Sequence, residues 1–393
     1  MKKVFLFSLF LVLGLVLSQC LPVWLGEAFL TAEKVAKTLM FVCLAFIMIN
    51  VGREFELDKT KWRSYAADYF IAMATAAVPW IMVAFYYMFL LPADLFGNWD
   101  AWKENLLLSR FAAPPSAGIL FTMLAAAGLR REWIYKKTQV LAIFDDLDTI
   151  LLMIPLQIFM IGFKWQLFAV VIVITFLLVI GWKKLGTIRL SQTWKSILFY
   201  AVCIVAVTES IYLLTKWMMG ADGAIHIEVL LPAFVLGMVM KTVHQHGNRD
   251  EKITGMISYL FMFLVGLSTP QFIGIDHGHR ITEAVGIIAA QPMPSWEVLV
   301  VHVIVVTLLS NLGKMFPLFF YRDRQLEERL ALSVGMFTRG EVGAGIIVIA
   351  MGYNLGGPAL IISVLSLVLN LLLTGGFVVI VKRLAQQAYG LKE

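Results

Sequence analysis

The chain has 393 residues, of which 60% are hydrophobic and only 15% are charged, with a net charge of +6. Because soluble domains carry about 25% charged residues, this composition excludes a disordered chain, a secreted disulfide scaffold and a nucleic-acid-binding module. It also argues strongly against a soluble enzyme of this length. We predict an all-α polytopic membrane protein in the lipid bilayer. The three cysteines lie in apolar stretches without metal-ligand spacing, and we expect no cofactor.

The first apolar run, residues 1–20, begins with two lysines and has the length of a signal peptide. Its end resembles a lipoprotein cleavage box before Cys20, but Gln19 stands where such a box has a small residue. We interpret this run as the first membrane-spanning helix, and cleavage is the alternative.

Twelve stretches reach the ~20 mostly apolar residues that a membrane-spanning helix needs. With the N-terminus inside, 23 of the 32 lysines and arginines fall in inner segments and six in outer segments. This bias predicts a bacterial cytoplasmic (inner) membrane protein with both termini in the cytoplasm. The twelve spans are 4–22, 35–52, 68–91, 105–128, 138–161, 164–182, 195–217, 226–242, 253–270, 297–320, 329–353 and 358–382.

The fourth span contains Pro114-Pro115-Ser116. Two prolines remove two amide donors and disfavour helix just before them, so we expect a break or a kink here. Arg110, four residues before the first proline, either clamps this interruption or reaches outward to the headgroups.

The fifth span carries three carboxylates within four residues, Asp145, Asp146 and Asp148. Ionisable groups inside spans are costly and usually functional, and neighbouring helix positions lie ~100° apart, so Asp145 and Asp146 face different directions. Paired carboxylates in a low dielectric cannot all ionise freely, and such a group can exchange a proton for a hard cation. We predict that Asp146 and Asp145 bind the cation and the proton. The alternative is buried acids neutralised by basic neighbours, and Asp148 stands between the two interpretations.

The tenth span carries Ser310, Asn311 and Lys314 on one helical face. Lys314 and Asp145 lie at similar depths from the inner ends of their spans, so Lys314 is the predicted charge partner of Asp145. A lysine that snorkels to the headgroups is the alternative.

The eleventh span contains Arg339, Gly340, Glu341 and Gly343. Charges and glycines at membrane depth indicate an unwound stretch, which is tolerated where it lines a cavity; close helix packing is the alternative for the glycines. The fourth and eleventh spans hold corresponding places in the two halves of the chain. We therefore predict inverted repeats with two broken, crossing helices whose ends face a midplane site.

Together these residues resemble the cation:proton antiporter superfamily over about 35–380, nearest the electrogenic bacterial sodium/proton antiporters. The resemblance is carried by 144–146 in the fifth span, with 52–58, 263–267 and 339–343. It implies that Asp146 carries the transported Na⁺ or H⁺, that Asp145 forms a salt bridge with Lys314, and that the protein is a homodimer. One helix precedes the motif at 52–58, where many relatives have two, and this leaves the form of the dimer open. Asp148 lies outside the family pattern.

We therefore expect one transporter domain over 1–393 that exchanges sodium or lithium for protons in pH homeostasis. Its transport helices are predicted at 68–161 and 297–382, and its scaffold and dimer helices at 4–52 and 164–270. A potassium/proton antiporter and a sodium-coupled organic-anion symporter of the same fold are the alternatives. A membrane aspartyl hydrolase is excluded because it needs its two aspartates on different helices.

Overall fold

The structure is a computed structural model that describes residues 2–25, 28–53, 62–116, 124, 129, 132–161, 172, 175–177, 179–181, 183–184, 186–219, 229–241, 248–269, 286–353 and 355–390. In these ranges the chain forms α-helices joined by turns and short 3₁₀ segments, and none of the described residues forms a β-strand beyond one isolated bridge. The all-α prediction is confirmed.

Twelve α-helices are described. In chain order they are α1 (Lys2–Leu25), α2 (Ala28–Arg53), α3 (Trp62–Phe89), α4 (Trp99–Ser109), α5 (Trp133–Ile161), α6 (Trp194–Met219), α7 (Leu230–Val239), α8 (Asn248–Leu267), α9 (Trp296–Gly313), α10 (Leu326–Gly335), α11 (Glu341–Gly352) and α12 (Gly357–Tyr389). The tenth predicted span corresponds to α9, and the eleventh to α10 and α11. The sixth, 164–182, lies mostly outside the described residues, so the count of twelve spans stays a prediction.

Several of these helices have the length and composition of membrane spans. Within the described ranges, five stretches are long and apolar enough to cross a membrane: Lys34–Arg53, Ala66–Phe89, Trp194–Trp217, Trp296–Phe319 and Gly357–Tyr389. An α-helix satisfies its own backbone hydrogen bonds, which lipid requires of any spanning segment.

The chain divides into two compact units. The first contains Met1–Val23, Thr60–Met160 and Val265–Glu393, and the second contains Trp24–Lys59 and Ile161–Leu264. The division into a transport part and a scaffold part is a matter of function, and it stays a prediction.

In the second unit, two glycines bring α2 and α7 into close contact. A Cβ atom on Gly52 would overlap the carbonyl oxygen of Phe234, and one on Gly237 would overlap that of Ile49. Small residues let helix backbones approach each other where lipid supplies no hydrophobic driving force. The two helices therefore pack backbone against backbone.

In the first unit, a seam of buried polar side chains joins α9 to α12. The hydroxyls of Thr307 and Ser366 lie 2.8 Å apart, and Asn370 Nδ2 donates to Asn311 Oδ1 at 2.9 Å. All four side chains are buried. Interhelical hydrogen bonds of this kind stabilise helix pairs in membranes, and this seam leads along α9 towards Lys314.

The end of α9 lies against the middle of α3. A Cβ atom on Gly313 would lie 2.5 Å from the Cα atom of Pro79, so only glycine permits this approach. The next residue, Lys314, is the C-cap of α9 and is fully buried. The close contact therefore places the amino group of Lys314 inside the first unit.

The beginning of α5 is fixed by a cluster on Asp68. Lys137 Nζ donates to both carboxylate oxygens of Asp68 at 2.9 Å, and the hydroxyl of Tyr321 donates to one of them at 2.9 Å. Burial and the Asp68 carboxylate raise the pKa of Tyr321, so its hydroxyl stays protonated and keeps donating. The cluster ties α3, α5 and the segment after α9 together.

Candidate functional site

In the fourth predicted span, the described chain is not helical at the two prolines, and the pair of broken, crossing helices stays a prediction. The helix α4 ends at Ser109, a 3₁₀ turn covers Arg110–Ala112, and residues 113–116 are not helical. Pro114 and Pro115 lie in this stretch and are buried. Since neither proline has an amide hydrogen, neither can continue the helical hydrogen bonds. Most of the remainder of the predicted span lies outside the described residues.

The eleventh predicted span is also interrupted, and the two interruptions contact each other. Residues 336–340 separate α10 from α11, which begins at Glu341. The backbone amide of Ser116 donates to the carbonyl of Thr338 at 2.9 Å. A Cβ atom on Gly340 would lie 2.6 Å from the hydroxyl oxygen of Ser116. Glycine therefore allows the contact between the interruptions.

Gly343 brings the first turn of α11 against the same stretch. A Cβ atom on Gly343 would lie 3.0 Å from the carbonyl oxygen of Phe111. In a continuous helix that oxygen would accept from residue 115, but Pro115 has no hydrogen to donate. Glu341 was predicted to line the site, but its side chain lies outside the described part of the structure.

The helix α5 carries the three predicted acids within the first unit. The exposed fractions of Asp145, Asp146 and Asp148 are 0%, 1% and 2%. Carboxylates at this depth are retained where they are paired or functional. The neighbouring Phe144 packs edge-on against the ring of Tyr69, with the ring centroids 5.5 Å apart.

Lys314 contacts the acid that the sequence assigned to it. Its amino group donates to Asp145 Oδ2, and both side chains have an exposed fraction of 0%. Lys314 therefore pairs with Asp145 instead of reaching the headgroups. The contact joins α9 to α5 across 169 residues of sequence.

Arg339 holds the second interruption against α9. Its guanidinium donates to the carbonyls of Met336 and Ser310, both at 3.1 Å, and the side chain is 1% exposed. Asn311, the other predicted polar residue on α9, accepts from Asn370 at the seam described above. Asn370 was not among the residues predicted from the sequence. A periodic signal marks it, since the polar residues of the twelfth span recur every three or four positions: Ser363, Ser366, Asn370 and Thr374.

Arg110 and Asp148 form a second buried ion pair. Arg110 Nη2 donates to the backbone carbonyl of Asp148 at 3.0 Å and lies 3.4 Å from its carboxylate oxygen Oδ2. The guanidinium carbon also lies 4.5 Å from the ring centroid of Trp80. Of the two alternatives for Arg110, the structure agrees with the clamp.

Six ionisable side chains are thus brought together, each at most 2% exposed: Arg110, Asp145, Asp146, Asp148, Lys314 and Arg339. When all six are ionised, their formal charges cancel. A proton or a monovalent cation that enters would change this balance by one charge. Among the described residues, no group of three or more His, Cys, Asp and Glu side chains is arranged to hold a metal ion.

A sequence model described as "Sodium/hydrogen exchanger, transmembrane" matches residues 2–385. No curated protein matches the chain.

Two solved structures of the sodium proton antiporter MjNhaP1 from Methanocaldococcus jannaschii are similar to this chain. One, at pH 8, has a TM-score of 0.60 and 12% sequence identity, covering 98% of this chain and 92% of that one. The other, from electron microscopy, has a TM-score of 0.53 and 13% identity with the same coverage. At such identities the likeness establishes a common fold.

Proposed function

Because this chain belongs to the sodium/hydrogen exchanger family of multi-pass membrane transporters, we propose that it exchanges sodium for protons at Asp146. Lithium is a second expected substrate. The observation that carries this proposal is the buried Asp145–Lys314 ion pair beside Asp146, in the unit where the interruptions of the two spans touch. The positive-inside bias of the sequence supports insertion in the bacterial cytoplasmic membrane with both termini inside.

The assignment of Asp146 follows from the pairing of its neighbour. Lys314 engages Asp145, and adjacent side chains on a helix are ~100° apart. Asp146 therefore presents its carboxylate to a different part of the site than Asp145 does. A carboxylate oxygen suits both a proton and a small hard cation, so the two ligands compete for Asp146. Because an ionised carboxylate is costly to bury, the site crosses the membrane only with a proton or a sodium ion bound.

The interrupted segments supply the setting for alternating access. Helix ends carry partial charges, positive at the N-terminus and negative at the C-terminus. The end of α10 at Gly335 and the start of α11 at Glu341 place both kinds of end within one interruption. Half-helices of this type surround ion sites in transporters with inverted repeats. We propose that the helices of 68–161 and 297–382 carry the site across, while those of 4–52 and 164–270 serve as scaffold and hold a homodimer together.

The exchange is electrogenic if Lys314 releases its proton when sodium binds. The sodium-loaded site, with Asp145 and Asp146 ionised and Lys314 neutral, then has a charge of −1. The proton-loaded site, with Asp146 protonated and Asp145 paired to a charged Lys314, has a charge of 0. Two protons then exchange for one sodium. Arg110, Asp148 and Arg339 contribute equally to both states and leave this difference unchanged.

The test is cation-induced dissipation of a proton gradient in everted membrane vesicles that contain the protein. Wild-type protein is expected to respond to sodium and lithium, and Asp146→Asn is expected to give no response at equal expression. Asp100→Asn is the matched control, since the Asp100 side chain is 59% exposed and the same chemical change there leaves exchange intact. A wild-type protein silent to sodium, lithium and potassium would refute the proposal, and a response to potassium alone would make the protein a potassium/proton antiporter.

A further inference from the structure

Arg110 stands at the point where α4 stops. It is the first residue of the 3₁₀ turn that precedes the non-helical residues 113–116, and its side chain is 0% exposed. Its guanidinium contacts Asp148 on α5 and covers the ring of Trp80 on α3. One side chain thus joins three helices at the edge of the interruption.

The ion pair of Arg110 lies one helical turn beyond the pair of Lys314. Asp145 and Asp148 are three residues apart on α5, and such positions share a helix face. Lys314 reaches this helix from α9, while Arg110 reaches it from α4. The two pairs therefore fix two different elements to α5, one before and one after Asp146 in the sequence.

Stability alone is a weak reason to keep such a pair. The desolvation of two charges offsets most of their attraction, and apolar replacements of similar volume are often neutral or stabilising. In the proposed cycle this pair keeps its charges and carries neither proton nor sodium. What the pair does set is the position of the chain that follows Arg110.

That chain carries a backbone oxygen without its helical donor. The carbonyl of Arg110 accepts from the backbone amide of Ala113 at 3.0 Å. The carbonyl of Phe111 would accept from residue 115 in a continuous helix, and that residue is proline. The Phe111 oxygen lies against Gly343 of α11 instead. Carbonyl oxygens are ligands that cations such as sodium use. The distance between the Phe111 oxygen and Asp146 depends on where Arg110 fixes the 3₁₀ turn relative to α5.

We propose that Arg110, through its ion pair with Asp148, is a positioning residue that sets the sodium affinity of the exchange site by fixing residues 110–116 against α5. This inference rests on the proposed function. Groups that orient the ligands of an ion without touching it typically change its affinity by about 10- to 100-fold when they are replaced. The pair should therefore act on apparent affinity and leave the maximal rate nearly unchanged.

The experiment is sodium-dependent exchange in proteoliposomes, with apparent KM and maximal rate determined separately per amount of folded protein. Arg110→Gln alone leaves Asp148 buried without its partner and is prone to misfold, so the double variant Arg110→Gln, Asp148→Asn is the decisive one. Both are expected to raise the apparent KM for sodium at least about tenfold, with a maximal rate within about twofold of wild type. Arg110→Lys, which keeps the charge and loses the planar guanidinium, is expected to lie between them and wild type.

Lys103→Gln is the matched control, because it removes a basic side chain from the same helix at a pair whose members are 20% and 59% exposed. Its KM is expected to equal that of wild type. A double variant with the wild-type KM would overturn the inference, since the pair would then only cancel two charges. A fall in maximal rate at unchanged KM would overturn it as well. If the wild type itself shows no exchange, the proposed function fails, and this inference fails with it.

Discussion

Replacing Lys314 with Gln should make the exchange insensitive to membrane voltage. In the proposed cycle the two loaded states differ by one charge only because Lys314 is neutral with sodium bound and charged with the proton bound. A glutamine side chain carries no charge in either state, so the site of the variant has the same charge with either ligand. Exchange then becomes one proton for one sodium.

The size of the effect follows from one charge crossing the membrane. Moving it through a potential of about 100 mV is worth about 2.3 kcal/mol, and about 1.4 kcal/mol is tenfold in a concentration ratio. At that potential and without a pH gradient, the wild type should therefore sustain a sodium gradient about 50-fold larger than the variant does. The single variant also leaves Asp145 buried without its partner, which costs about 3–5 kcal/mol of stability.

The one-for-one exchange of the single variant requires that Asp145 stays ionised in both states. The double variant Lys314→Gln, Asp145→Asn removes this condition, because no second carboxylate is left to bind a proton in place of Lys314. It removes the pair together and leaves Asp146 as the exchanging carboxylate. The assay is radioactive sodium uptake into proteoliposomes at a set proton gradient, with the potential imposed by potassium and valinomycin. Uptake by the double variant should not change with potential. A voltage response equal to that of the wild type would refute the reasoning.

Two other substitutions test the contacts that shape the site. Gly340→Ala adds a methyl group 2.6 Å from the Ser116 hydroxyl and should slow exchange severely. Adding Ser116→Gly to this variant removes the clashing side chain and should restore part of the rate. No restoration would contradict the assigned clash. Asn370→Leu removes the donor to Asn311 and should lower the free energy of unfolding in mixed micelles by about 1–3 kcal/mol. An unchanged free energy would show that this seam does not stabilise the pairing of α9 with α12.

The sequence predicts the position of the site better than its contacts. Charges inside apolar spans are conspicuous, so Asp145, Asp146 and Lys314 stand out without any structure, and Pro114-Pro115 marks where helix geometry ends. Proline acts on its own backbone, which is why that prediction needs no knowledge of neighbours.

The pairings depend on how helices pack, and packing joins residues far apart in sequence. Arg110 and Asp148 are 38 residues apart, and Asn311 and Asn370 are 59 apart. A polar residue in a span indicates that it needs a partner, but the helix face that supplies the partner is set by tertiary contacts such as that of Gly313 with Pro79. The pair of Lys314 could be proposed because its depth matched that of Asp145, whereas for Arg110 an outward orientation was equally open.

The central claim is that sodium and protons replace each other at Asp146. It is tested most directly by calorimetric titration of the purified protein with sodium in buffers of different ionisation enthalpy, which counts protons released per sodium bound. The account predicts two protons per sodium if Lys314 deprotonates and one if it stays charged, with no sodium binding by Asp146→Asn. Sodium binding without proton release at any pH in the working range, or undiminished binding by Asp146→Asn, would contradict it.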